Sequence, residues 1–385
     1  MNHDPVTPNL IGAYGPWAAG IVGDQPGRFS FRNSKWTDVT AWRVAARKRL
    51  RDLLLQPDSG GTPEVQLQHR MDYDGVQIEH VSWNLPYGPP TEALFMKPVG
   101  AKGPLPGIIG LHDHGGNKYF GRRKITRMCK EHHPAMLRHQ QEFYGGVPWA
   151  NELAKRGYAV LVHDVFAFAS RRVRAGDVPG FVHGDLKESN PESEAEIHQY
   201  NQFARGHEHL MAKSLFCAGT TWPGVFTAED QRALDYLCSR DDVDAQRVGC
   251  AGLSGGGLRT CYLAGVDERI SCACCVGMMT TWRDYLLDKC HTHTWMIYVP
   301  GLPREMDYSE IIGLAAPQPV LVQSCRQDGL FTLSEMERAD KILQEVYQKA
   351  GASDRFRTNF YEGGHKFDLA MQADAFAWMD RWLKR

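Results

Sequence analysis

The sequence lacks the features that would assign it at once to a membrane, nucleic-acid-binding or secreted class. No apolar run approaches the roughly 18 residues that a membrane-spanning helix needs. The 44 lysines and arginines nearly balance 45 aspartates and glutamates, so neither nucleic acid nor an anionic membrane is an expected partner. The opening residues, MNHDPVTPNL, carry an acid and two prolines where a signal peptide has basic and then apolar residues. We therefore expect a globular protein without a targeting segment.

Cysteine is present, but not in the spacing of a disulfide framework or a structural zinc site. The chain has 10 cysteines. Three of them, Cys272, Cys274 and Cys275, fall in the run SCACC, which reads as a buried strand that uses cysteine as a small apolar residue. Free thiols are typical of a reducing compartment, so the sequence predicts a cytoplasmic protein.

The chain divides at about residue 70. Residues 1–70 predict an N-terminal extension whose helix, TDVTAWRVAARKRLRDLLL, docks an apolar stripe on the main domain. Its other face is basic and is expected to be exposed; the residues of this face are Arg43, Arg47, Lys48 and Arg51. From 71 to 385, strand and helix patterns alternate, which predicts an α/β fold with a mostly parallel central sheet and helices on both faces. The strands GVQIEHVSW and TEALFMKP predict an antiparallel N-terminal edge.

Three long segments interrupt this alternation and match no helix or strand pattern. They lie near 117–145, 170–215 and 282–312 and are polar, aromatic and rich in histidine. Loops of this length inside a compact domain are usually functional covers, so we expect them to form a cap.

A serine between glycines points to a nucleophile. In CAGLSGGGLR, Gly252, Ser254 and Gly256 occupy the fixed places of G-x-S-x-G, with a strand pattern before and a helix pattern after. This is the nucleophile elbow, a tight turn that lifts the serine hydroxyl above the sheet. The alternative, a phosphate-binding turn, requires G-x-G-x-x-G and a downstream acid, which are absent. The sequence predicts Ser254 as the nucleophile.

A serine needs a base, and the base needs an acid that orients it. His365 in YEGGHKF follows the last strand pattern, and Asp328 in CRQDGLF follows the strand before it. Glu362 is the second candidate for the acid. His365 could instead cap the last helix, and Asp328 could be a turn residue before Gly329.

The developing oxyanion needs two N–H donors. We expect one from the backbone of Gly255 and the other from the loop after GIIGLHDHGG, at His114 or, second, at Gly115. The cluster His112, Asp113 and His114 also suggests a metal site, because alternate residues at the end of a strand face one side. No further ligand is apparent to complete such a site, and a loop that donates backbone N–H groups to the oxyanion explains the glycines better. No metal or organic cofactor is expected.

Four side chains are candidates for substrate binding. Phe166 and Arg171 belong to FAFASRR at the end of a strand, Trp222 to TTWPG and Trp282 to MMTTWRDYL. Aromatic rings with a few polar groups suit a small ester or a sugar. The alternative for each is packing in the core or the cap, which the sequence favours for any single one of them, and for Arg171 it is a surface ion pair.

Together, the motifs GLSGGG, LHDHGGNK, AAPQPVLVQSCRQDGLF and EGGHKF resemble the α/β-hydrolase superfamily over about residues 75–385. The most similar branch is that of dienelactone hydrolases and acetyl-xylan-esterase-like enzymes. The resemblance implies a triad of Ser254, Asp328 and His365. The chain departs from dienelactone hydrolase in having serine rather than cysteine as the nucleophile. It also has HDVFAFASRR where many relatives have a glycine-bearing turn.

The expected function is hydrolysis of a carboxylic ester through an acyl-enzyme. The substrate is expected to be either a small-molecule ester or an acyl ester linked to a carbohydrate. One alternative is a serine peptidase of the prolyl-oligopeptidase type, disfavoured because only about 70 residues without blade repeats precede the sheet. Another is a hydrolase-fold protein that binds a ligand without turnover, disfavoured because the triad residues are present. The oligomeric state stays open, including a homo-oligomer whose insertions reach a second subunit.

Overall fold

The computed structural model describes residues 8–23, 26–190 and 192–384, and within them the chain forms nine strands and twelve α-helices. The strands are β1 Gln66–Tyr73, β2 Val76–Trp83, β3 Thr91–Pro98, β4 Leu105–Leu111, β5 Ala159–His163, β6 Val243–Leu253, β7 Ile270–Val276, β8 Val320–Cys325 and β9 Phe356–Tyr361. The helices are α1 Gly15–Val22, α2 Val39–Leu54, α3 Pro134–Tyr144, α4 Trp149–Lys155, α5 Gly180–His183, α6 Glu194–Cys217, α7 Trp222–Cys238, α8 Gly255–Val266, α9 Trp282–Leu287, α10 Tyr308–Gly313, α11 Leu333–Lys349 and α12 Leu369–Leu383.

The strands form one sheet in the order β1-β2-β3-β5-β4-β6-β7-β8-β9. The pairs β1–β2, β2–β3 and β3–β5 are antiparallel, and all pairs from β5 onward are parallel. The carboxyl ends of parallel strands open on one edge of a sheet. The loops that leave β4, β6, β8 and β9 at this edge carry His114, Ser254, Asp328 and His365.

Apolar layers cover both faces of the sheet. Ile109 and Cys250 belong to the layer formed with α7, α8 and α11, whereas Ile108 and Ala251 belong to the layer formed with α4 and α12. Neighbouring residues fall in opposite layers because successive side chains of a strand point to opposite faces. This double burial explains why the central strands are continuous apolar runs and confirms the predicted fold class.

The N-terminal region differs from the prediction in two ways. The strand β1 begins at Gln66, so the sheet starts inside the segment predicted as an extension. The helix α2 packs on the main domain, with Trp42 and Leu50 fully buried. Its basic face, however, is not fully exposed: the Arg47 side chain is buried and donates to the carbonyl oxygens of Gly265 and Leu314. An arginine can bury its stem and still satisfy its guanidinium with backbone oxygens.

The three long segments contain more regular structure than the sequence indicated. The second half of the segment near 170–215 belongs to the helix α6, which is capped by the Ser193 hydroxyl. Its buried stripe includes Ile197, Tyr200, Ala204 and Glu208. A glutamate within this stripe, in a mainly polar sequence, weakened the apolar periodicity that predicts a helix.

The cysteines of the SCACC run are buried in β7 as predicted, and all ten cysteines are free thiols. In the described ranges, no helix combines the length and the apolar character needed to cross a membrane.

Candidate active site

Ser254 lies at the elbow between β6 and α8. It is one of the few non-glycine residues with positive φ, at φ 58° and ψ −119°. The glycines around it are required by close approach of the backbone. A Cβ on Gly252 would lie 2.4 Å from the Leu111 carbonyl oxygen, and one on Gly256 only 2.0 Å from that same atom. The elbow therefore packs directly on the end of β4, which explains the glycine density of this stretch.

The candidate base and the candidate acid form a hydrogen bond with each other. His365, from the loop after β9, donates from Nδ1 to Asp328 Oδ2 at 2.6 Å. The Asp328 side chain is almost fully buried, and its other oxygen accepts from the Leu330 N–H at 3.0 Å. The carboxylate is thus held in place by its own loop, and it fixes the orientation of the imidazole. The second candidate for the acid, Glu362, is largely exposed and accepts from Gln327 instead.

The imidazole lies beside the elbow. A Cβ on Gly277 would be 3.0 Å from His365 Cε1, and the residue before it, Val276, accepts a hydrogen bond from the Ser254 N–H at 2.9 Å. Within the described residues, the buried Nε2 of His365 has no hydrogen-bond partner, and it therefore forms no hydrogen bond with the serine hydroxyl. Such contacts often tighten only when substrate is bound.

The predicted oxyanion donors also lie next to each other. A Cβ on Gly255 would be 2.9 Å from the His114 nitrogen, so these two backbone nitrogens flank the elbow. The Gly255 N–H belongs to the first turn of α8 and has no partner within the helix. Gly115, with φ 50°, follows in the same loop. Among the described residues, neither the His114 nor the Gly115 N–H donates a hydrogen bond.

The histidine rings of this loop do not converge on a common point. His112 Nδ1 contacts the Asp113 carbonyl oxygen at 3.1 Å, and burial lowers the pKa of this ring well below its ordinary value. The His114 ring donates from Nε2 to Glu208 at 3.2 Å and accepts from the Gly116 N–H at 3.0 Å. In the described part of the chain, no cluster of three histidine, cysteine or acidic side chains is suited to a metal ion.

Glu208 of α6 is a residue that the sequence reasoning missed. It contacts the His114 ring and forms an ion pair with Lys118 at 2.5 Å, and both its side chain and that of Lys118 are buried. Burial acts to raise the pKa of Glu208, but the hydrogen bond from His114 and the Lys118 charge outweigh it and lower the pKa below its ordinary value. The only sequence signal was a carboxylate within the apolar stripe of a helix. The segment near 170–215 thus packs on the loop after β4 that carries His114 and Gly115, which we call the oxyanion loop.

The segment near 117–145 contacts both the oxyanion loop and the base loop, which is the loop after β9 that carries His365. His139 of α3 donates to the Asp113 carboxylate at 3.1 Å. The neighbouring Phe143 meets the His365 ring edge to face, with centroids 6.5 Å apart. This insertion therefore covers the site of its own chain.

The third segment, near 282–312, packs on the acid loop, which is the loop after β8 that carries Asp328. His293 contacts the Leu330 carbonyl oxygen at 2.9 Å, and Leu330 is the residue whose N–H holds Asp328. The same segment lines a pocket of about 590 Å³ whose walls are mainly apolar and aromatic, with Trp282 and Trp295 among them. A pocket of this size is ordinary for a small-molecule ligand.

The four predicted substrate-binding residues fare differently. Phe166 is half-buried and meets Trp222 edge to face at 5.4 Å, but Trp222 is 1% exposed. Trp282 is also buried, and its indole N–H donates to the Met306 carbonyl oxygen at 3.1 Å. The two tryptophans therefore contribute mainly to packing, although Trp282 also borders the pocket.

Arg171 is not available to bind a substrate, contrary to the prediction. Its side chain is 1% exposed and forms an ion pair with the equally buried Glu229 at 2.6 Å. The guanidinium also donates to the carbonyl oxygens of Tyr87 and Pro89. The other oxygen of Glu229 accepts from the Phe166 N–H at 2.8 Å. The arginine therefore ties the end of β5 to α7.

We expect Arg171→Met to destabilise the fold by about 3–5 kcal/mol, because it leaves the Glu229 charge buried and unpaired. Urea unfolding measures this loss. Arg172→Met is the matched control, since its partner Glu188 lies 3.5 Å away and both side chains are partly exposed, and we expect a loss of at most about 1 kcal/mol. A rise in KM for Arg171→Met at unchanged stability would contradict this assignment and restore a role in substrate binding.

The C-terminal part of the chain matches a known family model. The model of the Prolyl oligopeptidase family matches residues 218–385, which contain Ser254, Asp328 and His365. YtaP, a protein of Bacillus subtilis (strain 168) assigned as a hydrolase, is 27% identical over 294 residues, which are 76% of this chain and 83% of YtaP.

Solved structures extend the likeness to almost the whole chain. A Bacteroides fragilis protein assigned as an acetyl xylan esterase has a TM-score of 0.66 at 15% identity, covering 91% of this chain and 83% of its own. A glucuronoyl esterase from Solibacter usitatus has a TM-score of 0.60 at 16% identity, covering 90% of this chain and 94% of its own. The methylesterase BT1017 has a TM-score of 0.61 at 19% identity, covering 92% of this chain and 67% of its own. These comparisons confirm the α/β-hydrolase fold.

Proposed function

We propose that this chain is a serine carboxylesterase that cleaves a small or carbohydrate-linked ester through an acyl-enzyme. The observation that carries the proposal is the joint placement of Ser254 on a strained elbow and of an oriented Asp328–His365 pair beside it. Fold alone would support many activities. This constellation, with free N–H groups at Gly255 and His114, supports acyl transfer.

In the proposed mechanism, Ser254 Oγ attacks the ester carbonyl carbon while His365 Nε2 accepts the hydroxyl proton. The carbonyl oxygen becomes an oxyanion and accepts hydrogen bonds from the Gly255 and His114 N–H groups. The C–O bond to the alcohol breaks, and the proton on His365 passes to the leaving oxygen. Water then attacks the acyl-enzyme with His365 as base, which releases the acid and restores Ser254. Asp328 remains ionised and stabilises the imidazolium.

The ester specificity is supported by the structural relatives, whose names describe acetyl xylan, glucuronoyl and methyl ester hydrolysis. The cap built from the three insertions supports a confined substrate, since all of them contact the catalytic loops of the same chain. We place the chain on the acetyl-xylan-esterase-like and dienelactone-hydrolase-like side of the superfamily.

A serine peptidase is the second candidate, because the matching family model is that of prolyl oligopeptidases. Both activities would use the same three residues, so the substrate decides between them. The test is a panel of p-nitrophenyl acetate, acetylated xylo-oligosaccharides, a glucuronoyl methyl ester and a glycyl-prolyl anilide. We expect turnover of one or more esters and none of the anilide. Cleavage of the anilide with greater kcat/KM than any ester would overturn the esterase proposal in favour of the peptidase.

We also propose a cytoplasmic location, supported by the ten free thiols and the absence of an evident disulfide framework in the sequence. Thiol titration of denatured protein purified without reductant should find all ten thiols reduced. Stable disulfides in that preparation would argue for an oxidising compartment.

A further inference from the structure

Lys124 is a fully buried lysine whose ammonium contacts backbone rather than a carboxylate. Its side chain is 0% exposed, and Nζ donates to the carbonyl oxygens of Asp113 at 2.8 Å and of His114 at 2.9 Å. The Asp113 carboxylate is farther away, with Oδ2 at 3.8 Å from Nζ. The Phe168 ring covers the ammonium at 4.9 Å. Burying a charge is unfavourable unless its hydrogen bonds are satisfied, so this arrangement calls for a reason.

The Asp113 carboxylate supplies part of that reason, because its charge favours the ammonium across 3.8 Å, but it forms no hydrogen bond with Lys124. It accepts hydrogen bonds from His139 and from the Tyr144 hydroxyl, and these groups and Lys124 hold its pKa well below the ordinary value. Its hydrogen bonds therefore come from two partners other than Lys124. What Lys124 contacts at hydrogen-bond distance is the backbone of the oxyanion loop.

Each of these two carbonyl groups shares a peptide unit with an N–H group that the proposed reaction needs. The Asp113 carbonyl is bonded to the His114 nitrogen, and the His114 carbonyl to the Gly115 nitrogen. Neither bond is cis, and in a trans peptide the C=O and N–H groups point in opposite directions. Holding both oxygens on one side with Lys124 therefore turns both N–H groups to the other side. The His114 nitrogen does lie beside Gly255, on the side of the elbow.

We propose that Lys124 is a positioning residue for the oxyanion hole, which orients the His114 and Gly115 N–H groups toward the space above Ser254. The inference rests on the proposed function. The positive charge behind the two peptide units also strengthens their N–H groups as donors, since hydrogen bonds in a chain polarise one another. Burial lowers the pKa of Lys124 to about 8, so the ammonium is still mainly charged at neutral pH.

The test compares Lys124→Met with the wild type in ester hydrolysis and in the rate of labelling by a fluorophosphonate. Both reactions place negative charge in the oxyanion hole. For Lys124→Met we expect kcat and the labelling rate to fall by about 100-fold, while KM stays within about threefold. A role in stability alone would lower the melting temperature without this selective loss of kcat in the folded protein.

Lys118→Met is the matched control. Lys118 is also buried in the same segment, but its ammonium pairs with Glu208 and does not contact the two carbonyl oxygens. We expect its kcat to stay within about fivefold of the wild type. Equal losses in both variants, or a wild-type kcat in Lys124→Met, would overturn the inference.

A second measurement does not depend on the folding of a variant. In a crystal structure of the wild type with a boronic acid bound to Ser254, one boronate oxygen should lie within about 3.1 Å of the His114 or Gly115 nitrogen. Lys124 should still contact both carbonyl oxygens. A boronate oxygen directed elsewhere, or a Lys124 withdrawn from the carbonyls, would overturn the inference. If the wild type reacts with neither reagent, the proposed function itself fails; if it reacts and Lys124→Met reacts equally fast, only this inference fails.

Discussion

Ser254→Ala is expected to abolish ester hydrolysis, with a loss in kcat on the order of 10⁴–10⁶-fold. The reason is that no other hydroxyl replaces the one presented by the strained elbow, where φ is 58°. The melting temperature should change little, because alanine needs the same backbone conformation as serine. A fluorophosphonate should form an adduct on the Ser254 peptide of the wild type, located by mass spectrometry, and none on that peptide in the variant.

Two further variants make this result specific. Ser271→Ala removes a partly exposed hydroxyl near the amino end of β7, at the opposite edge of the sheet, and should leave kcat unchanged. Asp328→Asn keeps the shape of the acid but not its charge, and should lower kcat by about 10³–10⁴-fold because the His365 ring loses its orienting partner. Ser254→Ala protein that keeps more than about one per cent of the activity would show that another group is the nucleophile.

The candidate triad residues are those whose sequence signals are local. Ser254 is identified by the glycines two positions before and after it. These glycines are needed because β4 lies so close to the elbow that a Cβ on either of them would clash with the Leu111 carbonyl oxygen. Asp328 follows the buried apolar strand β8, and His365 follows β9, a partly polar strand at the edge of the parallel sheet. Because the carboxyl ends of parallel strands lie at the same edge of a sheet, the loops that follow these strands come together there. Their pairing at 2.6 Å follows from topology rather than from any contact visible in the sequence.

The contacts that the sequence does not reveal join residues that are distant in the chain. Arg171 pairs with Glu229, 58 positions later, and nothing in FAFASRR distinguishes that arginine from one facing a ligand. Lys124 lies in the basic run RRK, and nothing in that run distinguishes a buried lysine from an exposed one. Glu208 interrupts the apolar stripe of its helix because it faces His114 and Lys118. Charges that bind other parts of the chain inside the fold look the same in sequence as charges that face water.

Gly256→Ala is expected to destabilise the fold by at least about 3 kcal/mol and to lower activity in the protein that still folds. The new Cβ would lie 2.0 Å from the Leu111 carbonyl oxygen, and this neighbour is backbone in the middle of the sheet, which cannot rotate away as a side chain would. Relief of the clash must therefore separate the elbow from the end of β4. That movement would carry the His114 nitrogen away from Gly255, so kcat should fall together with the free energy of unfolding.

The same substitution at Gly206 should change the free energy of unfolding in the opposite direction. Gly206 lies inside α6, as Gly256 lies inside α8, but a Cβ on Gly206 would meet no described atom within 4 Å outside its own helix turn. Alanine is favoured over glycine within a helix by roughly 0.5–1 kcal/mol, so Gly206→Ala should stabilise the protein by about that amount. This preference applies in full only to Gly206, because Gly256 is the second residue of α8, so the opposite signs of the two effects, rather than their difference, report the contact with β4. Urea unfolding of both variants tests this, and equal stabilities would mean that the elbow does not pack on β4 as closely as the structure has it.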